Sequence, residues 1–249
     1  MIHIALIGYG KMGKMIERIA LDKGFVIEAI VEPASDQYLK SITALKGMNI
    51  DVCIDFSHPD CALENIKNLC ELKLNAVIGT TGWHEHLNEV RQWVSENQNG
   101  LIYGSNYSVG MNMFYRLIED AVKHFNHLPD YDIFAFEAHH RQKADSPSGT
   151  AREISTIILN HSNIKNTVIY DKIDRQPAPE ELHFASIRGG AIPGTHEVGF
   201  DSIADTIEIK HTARNREGFA SGALMAAQWL KGKSGIYNFQ SIFGEILNG

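Results

Sequence analysis

The chain has 249 residues, 44% of them hydrophobic and 21% charged, which is the balance of an ordinary soluble globular protein with room for one large core or two small ones. Lys and Arg total 23 against 30 Asp and Glu, for a formal net charge of -7; this argues against nucleic acid as the main partner and requires any anion to be met by a local basic cluster. Cys53, Cys61 and Cys70 fit neither a disulfide framework nor a zinc pattern and read as reduced thiols.

Ile2–Gly8 (IHIALIG) is almost continuously apolar, as in a strand covered on both faces of a parallel sheet. It reads as a first strand and not as a signal peptide. No apolar run reaches bilayer length, so no membrane partner and a cytoplasmic location are expected. GYGKMG (Gly8–Gly13) follows, then a helical pattern through Lys23, and Val26–Glu32 is a second strand. The link Pro33–Ile50 has room for one modest helix. Asp51–Ser57 is a third strand, Pro59–Leu74 a helix, and Ala76–Gly82 a strand running into a turn. Leu87–Glu96 is a helix and Leu101–Ser105 another strand. This alternation predicts an α/β fold, a Rossmann-like doubly wound parallel sheet with helices on both faces.

The rhythm changes after Asn106. Met111, Phe114, Ile118, Ala121 and Phe125 step by three and four, which predicts a helix. Asp132–Ala138 is a strand that ends at two histidines. Ala151–Leu159 resumes a helix, capped by Ser148 or by Thr150, whose pairing with Glu153 has the form of a capping box. VIYDKI (Val168–Ile173), HFASIRGG and the pair HEVGFDSI/DTIEIKHT read as strands, the last two as a hairpin around Ala204-Asp205. Gly218–Leu230 is an Ala-rich helix, and SGIYNFQSIFGEIL closes the chain. The later part is therefore a second α+β domain with a mixed, strand-rich sheet.

Gly8, Gly10 and Gly13 match G-x-G-x-x-G between a strand and a helix. The first glycine makes the turn, the second lets backbone approach a pyrophosphate, and the third lets the helix pack on the sheet. Free N–H groups at Lys11 and Met12, with the helix dipole, favour the phosphate charge. Glu32 ends the second strand, where a carboxylate accepts the adenosine ribose hydroxyls. A glycine turn without a ligand is the plainer alternative. No arginine follows Glu32, which favours NADH over NADPH as the cofactor. Lys11 is either a phosphate contact or a solvated surface lysine. The turns Gly79-Thr80-Thr81 and Ser105-Asn106-Tyr107 end later strands on the same edge and are expected beside the nicotinamide.

Glu137 to Ala151 reads EAHHRQKADSPSGTA. A histidine donates a proton near neutral pH, Lys143 is a second donor or an anion clamp, and the helix after Ser148 presents N–H groups to a carboxylate. Together these suggest an anionic substrate that is protonated as it receives hydride. Adjacent histidines with a lysine nearby make a poor metal site, so no metal is expected. His196, in the Gly194-Thr195-His196 turn, reads as a residue that holds a strand or loop.

The same stretch matches E-x-H-H-x-x-K-x-D-x-P-S-G-T-A at every fixed position, and in it the chain resembles the dihydrodipicolinate reductase family of the diaminopimelate–lysine pathway. GYGKMG, DFSHP, GTTG, SNYSVGMN, RGGAIPGTHEV and HTARNREGFASGALMAAQWL are similar to further family landmarks. The resemblance implies nicotinamide-dependent reduction of 4-hydroxy-tetrahydrodipicolinate, a small dicarboxylate, by a homotetramer. It implies a dinucleotide-binding domain from 1–107 and 216–249, and a substrate-binding and oligomerisation domain from 108–215. It further implies that His139 is the proton donor with Lys143 as its partner, and that His140, Gly149 and Thr150 bind substrate. The family often has arginine where Lys11 stands and proline where Ser105 stands. Arginine often follows its acidic residue where both NADH and NADPH are used; Pro33 does not replace it. A dehydrogenase of another amino or imino acid such as aspartate, and a dinucleotide sensor without turnover, are the alternatives.

Overall fold

The structure is a computed structural model that describes residues 1–170 and 172–248. Asp171, inside the predicted strand Val168–Ile173, lies outside the described residues, as does Gly249. The chain divides into two units, one from Met1–Val109 with the chain from Arg216 onward, the other Gly110–Asn215.

Strand β1 (Ile2–Ile7) leads into α1 (Lys11–Asp22), whose Ile16 and Ala20 fall on one buried stripe. β2 (Phe25–Val31) follows. The link to β3 (Val52–Asp55) holds only a short 3-10 turn, Ile42–Leu45, in place of the predicted modest helix. The chain spends those residues doubling back along β2, where Leu39 pairs with Val31. α2 (Pro59–Glu71) starts with proline in its first turn, where a missing N–H costs nothing, and His58 caps it. β4 (Asn75–Ile78), α3 (Leu87–Asn97) and β5 (Gly100–Tyr103) complete the alternation.

α4 (Val109–Phe125) turns its predicted stripe of Met111, Phe114 and Ile118 inward. β6 (Asp132–His139), α5 (Gly149–His161), β7 (Thr167–Ile169), β8 (Glu181–Arg188), β9 (Thr195–Asp201) and β10 (Thr206–Thr212) build the second unit. α6 (Glu217–Leu230), β11 (Gly235–Asn238) and α7 (Phe239–Asn248) return the chain to the first.

The first sheet is parallel throughout, in the order β11-β5-β4-β3-β1-β2. Alternate β1 residues explain its continuous apolar sequence. Ile4 and Leu6 pack with α1, α6 and α7, while Ala5 and Ile7 pack with α2 and α3 on the other face. Strand order reverses between β1 and β3, the place where open sheets of this kind bind ligands beyond their carboxyl ends.

The second sheet is mixed, in the order β10-β9-β6-β8-β7. β6 runs parallel to β8 and antiparallel to β9, and the predicted hairpin joins β9 to β10. α4 and α5 cover one face, over Ile133, Ala135, Leu182, Phe184, Val198 and Phe200. Burying each of the larger of these side chains, all but Ala135, contributes about 1.5–3 kcal/mol. No helix among the described residues is long and apolar enough to cross a membrane.

Candidate active site

The glycine loop has three distinct local reasons for its glycines. Gly8 has φ +85, and a Cβ there would stand 2.7 Å from the Phe56 carbonyl oxygen. A Cβ at Gly13 would stand 2.4 Å from the Gly8 carbonyl oxygen, so this glycine lets α1 close on the turn. A Cβ at Gly10 would meet nothing within 4 Å. Gly10 therefore faces open space at the start of α1, which no side chain caps. The N–H groups of the first turn, at Lys11 and Met12, are disposed for an anion.

A cavity of about 580 Å³ opens beside this loop, at the carboxyl ends of β1, β2 and β3. Gly8, Gly10 and Glu32 line it together with Lys40 and Ser57. Glu32 is half-buried, and its carboxylate accepts from the Tyr9 N–H at 2.8 Å and the Ala34 N–H at 3.3 Å. The residues thus fit a dinucleotide: an uncapped helix start, open space at Gly10, and a carboxylate at the end of β2.

The other predicted cofactor residues stand farther along the sheet and do not line that cavity. A Cβ at Gly79 would stand 2.2 Å from the Phe56 ring. The Thr80 hydroxyl is committed to the buried carboxylate of Asp55 at 2.7 Å, while Thr81 is exposed. Ser105 is exposed, and Asn106 accepts from the Ser108 N–H at 2.9 Å. Tyr107 departs from expectation. Its ring is buried against Phe56 and Phe239, and its hydroxyl donates to Ile78 and Ile102 carbonyls at 3.0 and 3.1 Å. Burial pushes that phenol well above its ordinary range, so its side chain anchors the turn and only its main chain is left for a cofactor.

In the second unit, strand pairing makes a polar cluster at one end of the helix-covered face. Glu137 stands opposite Ser186 and His196, and His139 opposite Arg188. Glu137 is fully buried. It accepts from the Ser148 N–H at 2.9 Å, the Ser186 hydroxyl at 2.9 Å and Arg188 Nη2 at 2.7 Å, and also from the Ser148 hydroxyl. His196 Nε2 lies 3.4 Å from the same carboxylate. Burial alone would raise the pKa of Glu137, but His196, Ser148 and Arg188 together outweigh it and hold the carboxyl well below the usual range.

Ser148 links this buried charge to α5. Its oxygen accepts from the Ala151 N–H at 3.1 Å, so Ser148 and not Thr150 is the cap, and the predicted Thr150–Glu153 box gives way to a helix that starts two residues earlier. Gly149 and Thr150 then occupy the first turn, where helix N–H groups have no intrahelical acceptor. Gly149 is exposed and Thr150 half-buried.

The two histidines separate, because β6 continues through His139. His139 is buried, packs edge-to-face on His196 with ring centroids 5.1 Å apart, and has Nδ1 at 3.3 Å from Glu137 Oε2. Burial first, then the charges of His196, Lys143 and Arg188, push its pKa down to about 4 against the pull of Glu137. At neutral pH this imidazole is neutral. His140 lies beyond the strand, half-buried, with its N–H on the Ile192 carbonyl at 2.8 Å. Gly194 has φ +151 and would place a Cβ 3.1 Å from His139 Nε2. Lys143 is half-buried and ion-paired with Asp145 at 2.8 Å, and that bond holds the Asp145 carboxyl low.

Glu137, His139 and His196 offer three ligand atoms within 4.8 Å of one another. Arg188 sits on the same carboxylate, and a guanidinium there opposes a second cation, so the donor set suits a charge relay of hydrogen bonds better than a metal. Ser186 and Arg188 carry no motif that marks them as part of this cluster in the sequence. The one local signal is their two-residue spacing in β8, which repeats that of Glu137 and His139 in β6.

Family models of dihydrodipicolinate reductase match the chain at residues 2–107 (N-terminus) and 110–243 (C-terminus). The 4-hydroxy-tetrahydrodipicolinate reductase of Christiangramia forsetii is 36% identical over 244 residues, covering 98% of each chain. That of Staphylococcus aureus is 35% identical over 246 residues, covering 96% of this chain and 99% of the relative. Among solved structures, the dipicolinate-bound dihydrodipicolinate reductase of Paenisporosarcina sp. TG-14 has a TM-score of 0.78 at 20% identity, over 97% of this chain and 99% of that one.

Proposed function

Since the chain belongs to the dihydrodipicolinate reductase family, we propose how its residues carry that family's reaction. The reaction is the nicotinamide-dependent reduction of 4-hydroxy-tetrahydrodipicolinate, with loss of water, to tetrahydrodipicolinate, in diaminopimelate and lysine biosynthesis. When bound, the nicotinamide supplies the hydride. Gly8, Gly10, Lys11, Met12 and Gly13 receive the pyrophosphate, and Glu32 the adenosine ribose. Gly79, Thr80, Thr81, Ser105, Asn106 and Tyr107 offer main-chain groups and small side chains to the nicotinamide half. Glu32 followed by Pro33 favours NADH.

The substrate is a dicarboxylate, as is the dipicolinate bound to the Paenisporosarcina relative. One carboxylate takes the N–H groups of Gly149 and Thr150, with His140 alongside. The observation that carries this reading is the build of α5. Ser148 spends its own N–H and hydroxyl on Glu137 and its oxygen on Ala151, which leaves the first-turn N–H groups for the ligand. Lys143 carries the proton that accompanies the hydride, since His139 is held neutral. His139 serves as a neutral N–H donor to the reacting ring. Two further features support finer assignments. Phe134 and Phe136, half-buried on the face opposite α4 and α5, and Ile187, 53% exposed there, support assembly through this sheet into a homotetramer. The free cysteines Cys53, Cys61 and Cys70 support a cytoplasmic location.

The test is a coupled assay. Pyruvate and aspartate semialdehyde, with the synthase that condenses them, generate the unstable substrate in place, and loss of NADH absorbance is followed. Oxidation that requires both the synthase and this chain is the expected result. Folded chain that binds NADH without oxidising it would move the assignment to a dehydrogenase of another amino acid or to a sensor.

A further inference from the structure

We propose that Lys40 receives the 2′-phosphate of NADPH, so that the chain uses NADPH as well as NADH; this rests on the dinucleotide reading of the glycine loop. The adenosine 2′-phosphate must lie near the carboxylate that takes the ribose hydroxyls of NADH, and it needs a cation there. Pro33, next after Glu32, supplies none. The chain supplies one from farther along by folding back. The Glu32 N–H donates to the Leu39 carbonyl at 2.9 Å, and the Leu39 N–H to the Ile30 carbonyl at 3.0 Å, so residue 39 runs beside the end of β2. This brings Lys40 Nζ to 3.3 Å from the Pro33 carbonyl. Lys40 lines the same cavity as Gly10 and Glu32, and among the described residues lining it Lys40 is the one lysine or arginine.

The other charges facing this place set the balance. Glu32 and Glu64 line the cavity, with His58, and the two carboxylates oppose a phosphate. Asp36 pairs with Lys40 at 2.7 Å, but the side chains are 53% and 105% exposed for lysine and aspartate. An ion pair so open to water is worth little, so the ammonium turns to a phosphate at small cost. NADH is favoured by the carboxylates, and Lys40 sets how much of the NADPH affinity is recovered.

The experiment measures affinities of the full chain for NADPH, NADH and 2′,5′-ADP by titration of cofactor fluorescence and by competition. Wild-type chain is expected to bind both cofactors. In Lys40→Ala the ratio of NADPH to NADH affinity should fall by about tenfold, as for loss of a charge-assisted contact, and 2′,5′-ADP should compete about tenfold less well. Asp36→Asn, which frees the ammonium and removes a negative charge, should raise the ratio by about twofold. A Lys40→Ala ratio equal to that of wild type, with NADH bound, overturns the role of Lys40. Wild-type chain that binds NADH and not NADPH overturns it too. Failure to bind either dinucleotide would instead overturn the dinucleotide reading and the proposal with it.

Discussion

Glu137→Gln removes one charge and keeps the shape of the side chain. Glu137 is 0% exposed, and the Arg188 side chain that it neutralises is 18% exposed. Breaking a fully buried pair by removing one partner costs about 3–5 kcal/mol. The partial exposure of Arg188 lowers the expected cost to about 2–3 kcal/mol, the size of one or two hydrogen bonds to a charged group. The new amide group also faces the Ser148 hydroxyl and His196, both of which now point at the carboxylate. The assay is urea unfolding followed by far-UV circular dichroism. Tryptophan fluorescence would report the wrong unit, because Trp83, Trp93 and Trp229 all lie in the first. Loosening Ser148 should also raise KM for the dicarboxylate. A stability change below about 0.5 kcal/mol, as at an ordinary surface position, would refute the view that this carboxylate organises the site.

Acid should weaken the fold through the same cluster. His139 has a folded pKa of about 4, and an unfolded histidine titrates near about 6.5. Its contribution is therefore present above about pH 6.5 and is lost as pH falls toward about 4. Glu137, also depressed, adds a loss below the ordinary carboxylate range. Urea midpoints should fall between pH 7 and 5 in wild type and fall less in His139→Gln; equal slopes would contradict the burial of a neutral His139. In turnover, kcat should show no limb near about pH 6.5, and a limb there that His139→Gln abolishes would make His139 a cationic acid after all. Gly13→Ala places a methyl group 2.4 Å from the Gly8 carbonyl oxygen, so NADH binding should be lost; a variant with normal NADH affinity would remove this contact from the cofactor site.

Much of the fold could be read locally. Continuous apolar runs such as Ile2–Gly8 mark strands buried on both faces, and the glycine loop shows its three roles in sequence order. The link Pro33–Ile50 was harder, because its backbone bonds go to the end of β2, a partner that no periodicity reveals. β11 was missed for a similar reason. Gly235–Asn238 is short, and only pairing with β5 makes it a strand. At the site, EAHHRQKADSPSGTA could be read as chemistry, but the buried hub could not. Ser186, Arg188 and His196 reach Glu137 through the register of three strands, which is set by packing across the whole sheet. Tyr107 shows the converse: its position in a turn suggested a ligand contact, while its ring belongs to the core and leaves only its main chain for one.

Lys143→Ala, measured in the coupled assay beside NADH binding in the same sample, decides whether this loop protonates the substrate. NADH affinity should be retained and kcat should fall by about 10²–10⁴, the range for an acid that supplies the proton. Undiminished kcat/KM would remove Lys143 from the reaction and contradict the assignment of this loop as the place where the substrate is protonated.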